Sequence, residues 1–135
     1  MISSMHGSTT VSNIGVAMFT VADQDAAIAF YTEKLGWELR GDDRFGANGE
    51  MRWVEVAPPG SKARLALNSP MRDEPGGGAI GVETTDVRGE HERLASVEGV
   101  TITNPPAEMG GAPLMFSLED PDGNSVWVVE TPAPS

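Results

Sequence analysis

The sequence predicts an α+β fold of two repeated β-α-β-β-β units, with curved mixed sheets enclosing a cavity and the helices outside. Three observations carry that prediction. Asp23 and Gly36 bracket a helical pattern thirteen residues apart, and Asp86 and Gly99 bracket a second at the same spacing. The strands beyond each helix keep step, since Gly36 to Ala66 is thirty residues and Gly99 to Trp127 is twenty-eight. The stretch LMFSLEDPDGNSVWVVE (114–130) then sets two short apolar runs around Asp120-Pro-Asp-Gly-Asn124. Pro121 presets φ and Gly123 or Asn124 takes the positive φ of a tight loop, so the stretch reads as a β-hairpin. Two copies are too few for a stacked array, which makes this a duplication and not a solenoid. Each unit buries one sheet face under its helix; the other face needs a second unit, in this chain or a partner.

Taken in order, residues 1–12 are Ser/Thr-rich without periodicity and are expected to form a loose tail. The domain proper is 13–131, with units 13–68 and 79–131. Asn13–Val21 is a nearly continuous apolar run, suiting a buried strand. Asp23 caps a helix to about Leu35, whose stripe is Ala27, Phe30, Tyr31 and Leu35, and Gly36 stops it. Trp37–Arg40, Met51–Val56 and Arg64–Leu67 read as three strands between Gly, Asp and Pro breaks. Residues 69–78, with two prolines and three consecutive glycines, form a flexible linker. Ala79–Thr85 is the next strand, and Asp86 caps a helix to about Glu98 with Val87, His91, Leu94 and Val97 on its stripe. Val100–Thr103 and the hairpin supply the rest.

Composition removes whole classes of function. There are no cysteines, so disulfides, thiolate nucleophiles and cysteine-held metals are excluded. Twenty acidic against nine basic side chains give a formal charge of −11, which argues against nucleic acid or an anionic membrane surface. That balance favours solubility first and cationic ligands second. No apolar run is long enough to cross a bilayer, and the first ten residues lack a secretory pattern, so a cytoplasmic protein is expected.

The motifs Thr20-Val-Ala-Asp23, Phe30-Tyr31, Leu35-Gly36-Trp37 and Asp120-Pro-Asp-Gly-Asn124, in this order and spacing, resemble the vicinal oxygen chelate superfamily. That superfamily includes glyoxalase I, extradiol dioxygenases, fosfomycin-modifying enzymes and bleomycin-binding resistance proteins. The resemblance covers about residues 13–130. It implies that a metal, where one is held, sits on His and Glu side chains projecting from four strands into the cavity. The corresponding positions here are Val16, Ala66, Ile80 and Trp127, and none of them can ligate an ion. His6 lies in the tail and His91 on the second helix, so neither replaces them. Glu55, Glu83 and Glu130 lie in or beside strands; Glu83 and Glu130 have the opposite parity to Ile80 and Trp127 and are expected to turn away. No Ser or Thr has a histidine placed to activate it, so no catalytic residue is assigned.

The four positions instead supply an apolar wall. Val16, Ala66, Ile80 and Trp127 are expected to face inward, joined through strand alternation by Met18, Val82 and Val129, with Trp53 and Met115 as further wall residues of open parity. Tryptophan and methionine suit planar ligands, including cationic ones. The expected function is a metal-free, cofactor-free protein that sequesters a small hydrophobic or aromatic ligand as a homodimer, akin to the bleomycin-resistance branch. A second reading is a lyase, isomerase or dioxygenase-like enzyme with an unrecognised metal or a carboxylate base such as Glu55. A third is an interaction subunit whose cavity is filled by its own side chains. Metal analysis separates the second from the first, and a structure without a cavity would favour the third.

Overall fold

In the computed structural model, which describes residues 8–70, 74–108 and 110–132, two units succeed one another along the chain. The first comprises β1 (Val16–Thr20), α1 (Gln24–Ala29), which continues as a π-helical turn (Phe30–Lys34), β2 (Glu38–Phe45), β3 (Met51–Ala57) and β4 (Arg64–Asn68). The second comprises β5 (Ala79–Thr84), α2 (Val87–Ala95), β6 (Thr101–Ala107), β7 (Met115–Glu119) and β8 (Ser125–Glu130). Each forms a four-stranded mixed sheet, in the orders β1-β4-β3-β2 and β5-β8-β7-β6. The first and last strands of each unit pair in parallel and the remainder antiparallel. Two repeated β-α-β-β-β units are therefore the architecture.

The helix starts obey their caps. The Asp23 carboxylate accepts from the Ala26 N–H at 3.0 Å, and Asp86 accepts from the Gly89 N–H at 2.9 Å. Ala27, Phe30, Tyr31 and Leu35, the expected stripe of the first helix, are all buried. The π-turn closes with the Leu35 N–H donating to the Phe30 carbonyl at 3.1 Å. The second helix is shorter than its pattern and ends at Ala95. Both outer strands, β2 and β6, are longer than their apolar patterns, because cross-strand pairing and not burial defines them. β6 carries Pro105 and Pro106, which this edge strand accommodates where its pairing with β7 is interrupted between Asn104 and Ala107.

One core joins the units. Phe19 and Val21, then Val54, Val56, Leu65 and Leu67, point to the helix side of the first sheet. Phe116, Leu118, Val126 and Val128 do the same in the second, and all pack in one cluster with Phe30, Tyr31, Val87 and Leu94. At the join sits the Asp120–Asn124 turn. The Asp120 side chain, 5% exposed, accepts from the Tyr31 hydroxyl at 3.0 Å, the Asn124 amide side chain at 3.0 Å, and the Asp122 and Asn124 N–H groups at 2.9 Å each. Asn124 in turn donates to the Thr20 carbonyl at 3.2 Å and accepts from the Gly78 N–H at 3.0 Å. Asp122 accepts from the Ala22 N–H at 3.1 Å.

The glycines before β5 belong to this join. A Cβ on Gly78 would lie 2.7 Å from the Phe19 ring, and one on Gly76 would collide with the Asp122 carbonyl oxygen. Glycine is needed there for close approach and not for flexibility alone. Of the expected tail and linker, residues 1–7 and 71–73 lie outside the described residues.

Burial first, then the Asp120 charge and its hydrogen bond, push the Tyr31 phenol far above the ordinary tyrosine range. The folded state thus holds a proton that the unfolded chain releases above about pH 10, so this contribution is intact below that pH and is lost as pH rises. Tyr31 is the sole tyrosine, which makes its ionisation directly visible. We expect phenolate absorbance to appear only together with loss of the circular dichroism signal in alkali. Tyr31→Phe should cost about 1–3 kcal/mol in denaturant unfolding at neutral pH, because the buried carboxylate loses a donor. A phenolate signal that precedes unfolding would contradict the buried placement.

Candidate functional site: two open sheet faces

Strand alternation sends one side of each sheet into the core and leaves the other open. On the first sheet, Met18, Ala66, Glu55 and Gly41 lie side by side across β1, β4, β3 and β2. Val16 and Arg64 share that face one step along, as do Trp53 and Asn68 in the other direction. On the second sheet the matching row is Gly81, Trp127, Ser117 and Asn104, with Glu83, Val129 and Met115 in the next. These faces lie opposite the helices. Met18 is 63% exposed and Phe45, on the same face, is 44% exposed.

The first face has a built centre. The Trp53 indole N–H donates to one Glu55 oxygen at 2.9 Å, and Arg64 pairs with the other at 3.0 Å. Both carboxylate oxygens are thereby occupied, and the indole is held in one orientation. Ala66 lies buried at the floor between Met18 and Glu55. On the second face Trp127 has Gly81 on one side and Ser117 on the other, so no large neighbour in its own row covers the ring. The buried Ser117 hydroxyl is held by Thr103 and Asn104 at 2.7 Å each. The two rows are complementary in size: where one has Ala66 the other has Trp127, and where one has Met18 the other has Gly81.

The structure divides the expected wall residues into three groups. Val16, Met18, Trp53 and Ala66 share the open face of the first sheet; Met115, Trp127 and Val129 share that of the second. Ile80 and Val82 are corrected. Ile80 pairs with Val126 and Val82 with Val128, both core residues, so they point to the helix side, away from Trp127. Glu83 is corrected with them, since it pairs with Val129 and lies on the Trp127 side. Glu130 keeps the expected opposite parity. His91 sits on α2 with its ring 5.2 Å from that of Phe116, on the helix side, and His6 lies outside the described residues.

Among the described residues, three cavities bear on this arrangement. The largest of these, about 640 Å³, is a cleft at the seam of the two units, where Ile80 and Val82 meet Ala17, Leu65 and Trp37. A second of about 260 Å³ continues it toward Leu94 and Val126. A third of about 260 Å³ lies at the end of the first open face, walled by Trp53, Phe45, Met51 and Asn68. None of the three contains both Trp53 and Trp127.

The four positions at the centre of the two faces do not fit a divalent ion: Val16 and Ala66 on one, and Gly81 and Trp127 on the other, offer neither oxygen nor imidazole, while the carboxylates Glu55 and Glu83 stand one on each sheet. Among the described residues, no three His, Asp or Glu side chains gather to hold a metal. No helix there is long and apolar enough to cross a membrane.

Residues 13–128 match the Glyoxalase/Bleomycin resistance protein/Dioxygenase superfamily. Protein YetH of Bacillus subtilis (strain 168) is 32% identical over 117 residues, which cover 84% of this chain and 94% of YetH. The crystal structure of a superfamily member from Sphaerobacter thermophilus DSM 20745 superposes with a TM-score of 0.81 at 33% identity, covering 91% of this chain and 100% of that one. TnmS3, an antibiotic binding protein from Streptomyces sp. CB03234, superposes with a TM-score of 0.80 at 28% identity, covering 93% and 100%. With its two paired units and this extent of match, the chain belongs to the Glyoxalase/Bleomycin resistance protein/Dioxygenase superfamily.

Proposed function

We propose that this protein binds a small planar, hydrophobic molecule between two sheet faces, without a metal and without breaking a bond. The observation that carries the reading is the pair of open faces. Each presents a tryptophan where a metal-dependent relative would need ligands nearby, one pinned by Glu55 and the other flanked by Gly81 and Ser117. The likeness to TnmS3, an antibiotic binding protein, supports a small-molecule ligand.

The cavity in this reading is completed by a second copy. The units are joined through their helix sides, so the open faces of one chain do not meet. Exposed Met18 and Phe45 leave apolar surface that a partner would cover. The first sheet of one protomer then faces the second sheet of its partner, with Ala66 giving room for Trp127. The acidic balance adds a long-range preference for cationic over anionic ligands.

Two outcomes test this. Tryptophan-fluorescence titration against planar cationic and neutral antibiotics should yield a saturable ligand that Trp127→Ala binds at least about tenfold more weakly, on the order of 1.4 kcal/mol. Stacking beyond area burial accounts for about 0.5–1.5 kcal/mol of such a loss. Equal binding by wild type and Trp127→Ala would remove the stacking role. Separately, elemental analysis of protein purified after growth with nickel, zinc, iron and manganese should find no stoichiometric ion. One tightly held ion per chain would overturn the metal-free reading.

A further inference from the structure

Beside the third cavity lies a buried acceptor with nothing to accept, which a turn of its amide would bring to the cavity. Asn68 ends β4 on the open face of the first sheet, and its side-chain oxygen is buried without a hydrogen-bond partner among the described residues. Leaving such an oxygen unpaired costs about 1–3 kcal/mol, so an unpaired one invites an explanation. The neighbouring amide differs. Gln24 donates to the Arg52 and Leu67 carbonyls at 2.9 Å each and accepts from the Ser69 hydroxyl at 3.2 Å, so its polar atoms are already engaged. The Asn68 oxygen is therefore a buried, unused acceptor beside this cavity, whose lining also includes the exposed Glu50 carboxylate.

Its surroundings define what would use it. The same cavity of about 260 Å³ is walled by Trp53, Phe45 and Met51, with the stem of Arg44 at its side. Trp53 is oriented by Glu55, which takes its only N–H, so the ring offers a π-face and no donor. Met51 and Arg44 are long and unbranched and can shift as a ligand enters; the Asn68 amide turns about a broad two-fold torsion. We infer that Asn68 is the polar recognition residue of the site. It selects flat aromatic ligands that carry an N–H or O–H donor on one edge, with the ring against Trp53 and the donor on the Asn68 oxygen. This rests on the small-molecule reading above and narrows it to a ligand class.

The test is a matched pair of probes, carbazole and dibenzofuran, which differ only in N–H against O at the ring edge. Binding is measured by isothermal titration calorimetry on the full chain. Wild type should bind carbazole at least about fivefold more tightly, the worth of one net hydrogen bond. Asn68→Leu, similar in size but without an acceptor, should lose that preference while keeping its affinity for dibenzofuran. Asn68→Ala, which likewise has no side-chain acceptor, serves the same purpose should the leucine variant fail to fold. If wild type binds both probes equally and Trp53→Ala weakens both, the aromatic cavity stands and the role of Asn68 is overturned. If neither probe binds, or Trp53→Ala leaves both unchanged, the cavity reading falls and this inference with it.

Discussion

The Tyr31–Asp120 hydrogen bond is the constraint on which the arrangement of this molecule depends. It joins a helix of the first unit to a turn of the second across 89 positions of sequence, in a place that water does not reach. A buried carboxylate is tolerable only when its oxygens are fully engaged, and here four donors converge on one. That demand fixes the turn, and the turn, through Asn124 and Asp122, fixes β1 and the glycines leading into β5. The two sheets can then share a core only through their helix sides.

This join decides where function can lie. With the helix sides committed to the core, the remaining face of each sheet carries no helix among the described residues. Those faces are not bland. The first holds a tryptophan, a carboxylate and a guanidinium in a closed set of contacts, and the second sets a tryptophan between two small neighbours in its row. In the proposed pairing of two copies, small residues in one row would meet large ones in the other, leaving space beside an indole. The seam cleft lined by Ile80 and Val82 lies on the other side of β5 and belongs to the join of the units.

Much of this was legible in the sequence. The caps Asp23 and Asp86, the buried stripe of α1 and the duplicated order of strands all stem from local chemistry repeated at equal spacing. The face of β5 was not. Ala79–Thr84 alternates weakly, and its two larger apolar residues, Ile80 and Val82, read as sharing the Trp127 face until the parallel register with β8 turns them to the helix side, where they line the seam cleft. The repeat itself held the signal: shifting by the Asp23–Asp86 offset carries Val16 to Ala79 and Met18 to Gly81, the face now seen. Two further features had no local signature. The turn reads as an ordinary hairpin because the partner of Asp120 is remote in sequence. Asn68 reads as the edge of the linker, because an unpaired acceptor is a property of packing and not of composition.

The claim that the cavity spans two copies has a direct test. Trp53→Ala and Trp127→Ala, each with a different affinity tag, are co-expressed and the mixed dimer is isolated through both tags. Each variant alone lacks one tryptophan in both of its cavities. In the mixed dimer, one cavity takes its first sheet from the Trp127→Ala chain and its second from the Trp53→Ala chain, and so has both rings. Titration should then recover wild-type affinity in half of the cavities. A mixed dimer that shows only the weakened affinity of its parents, or a protein that forms no mixed dimer at all, would contradict the account.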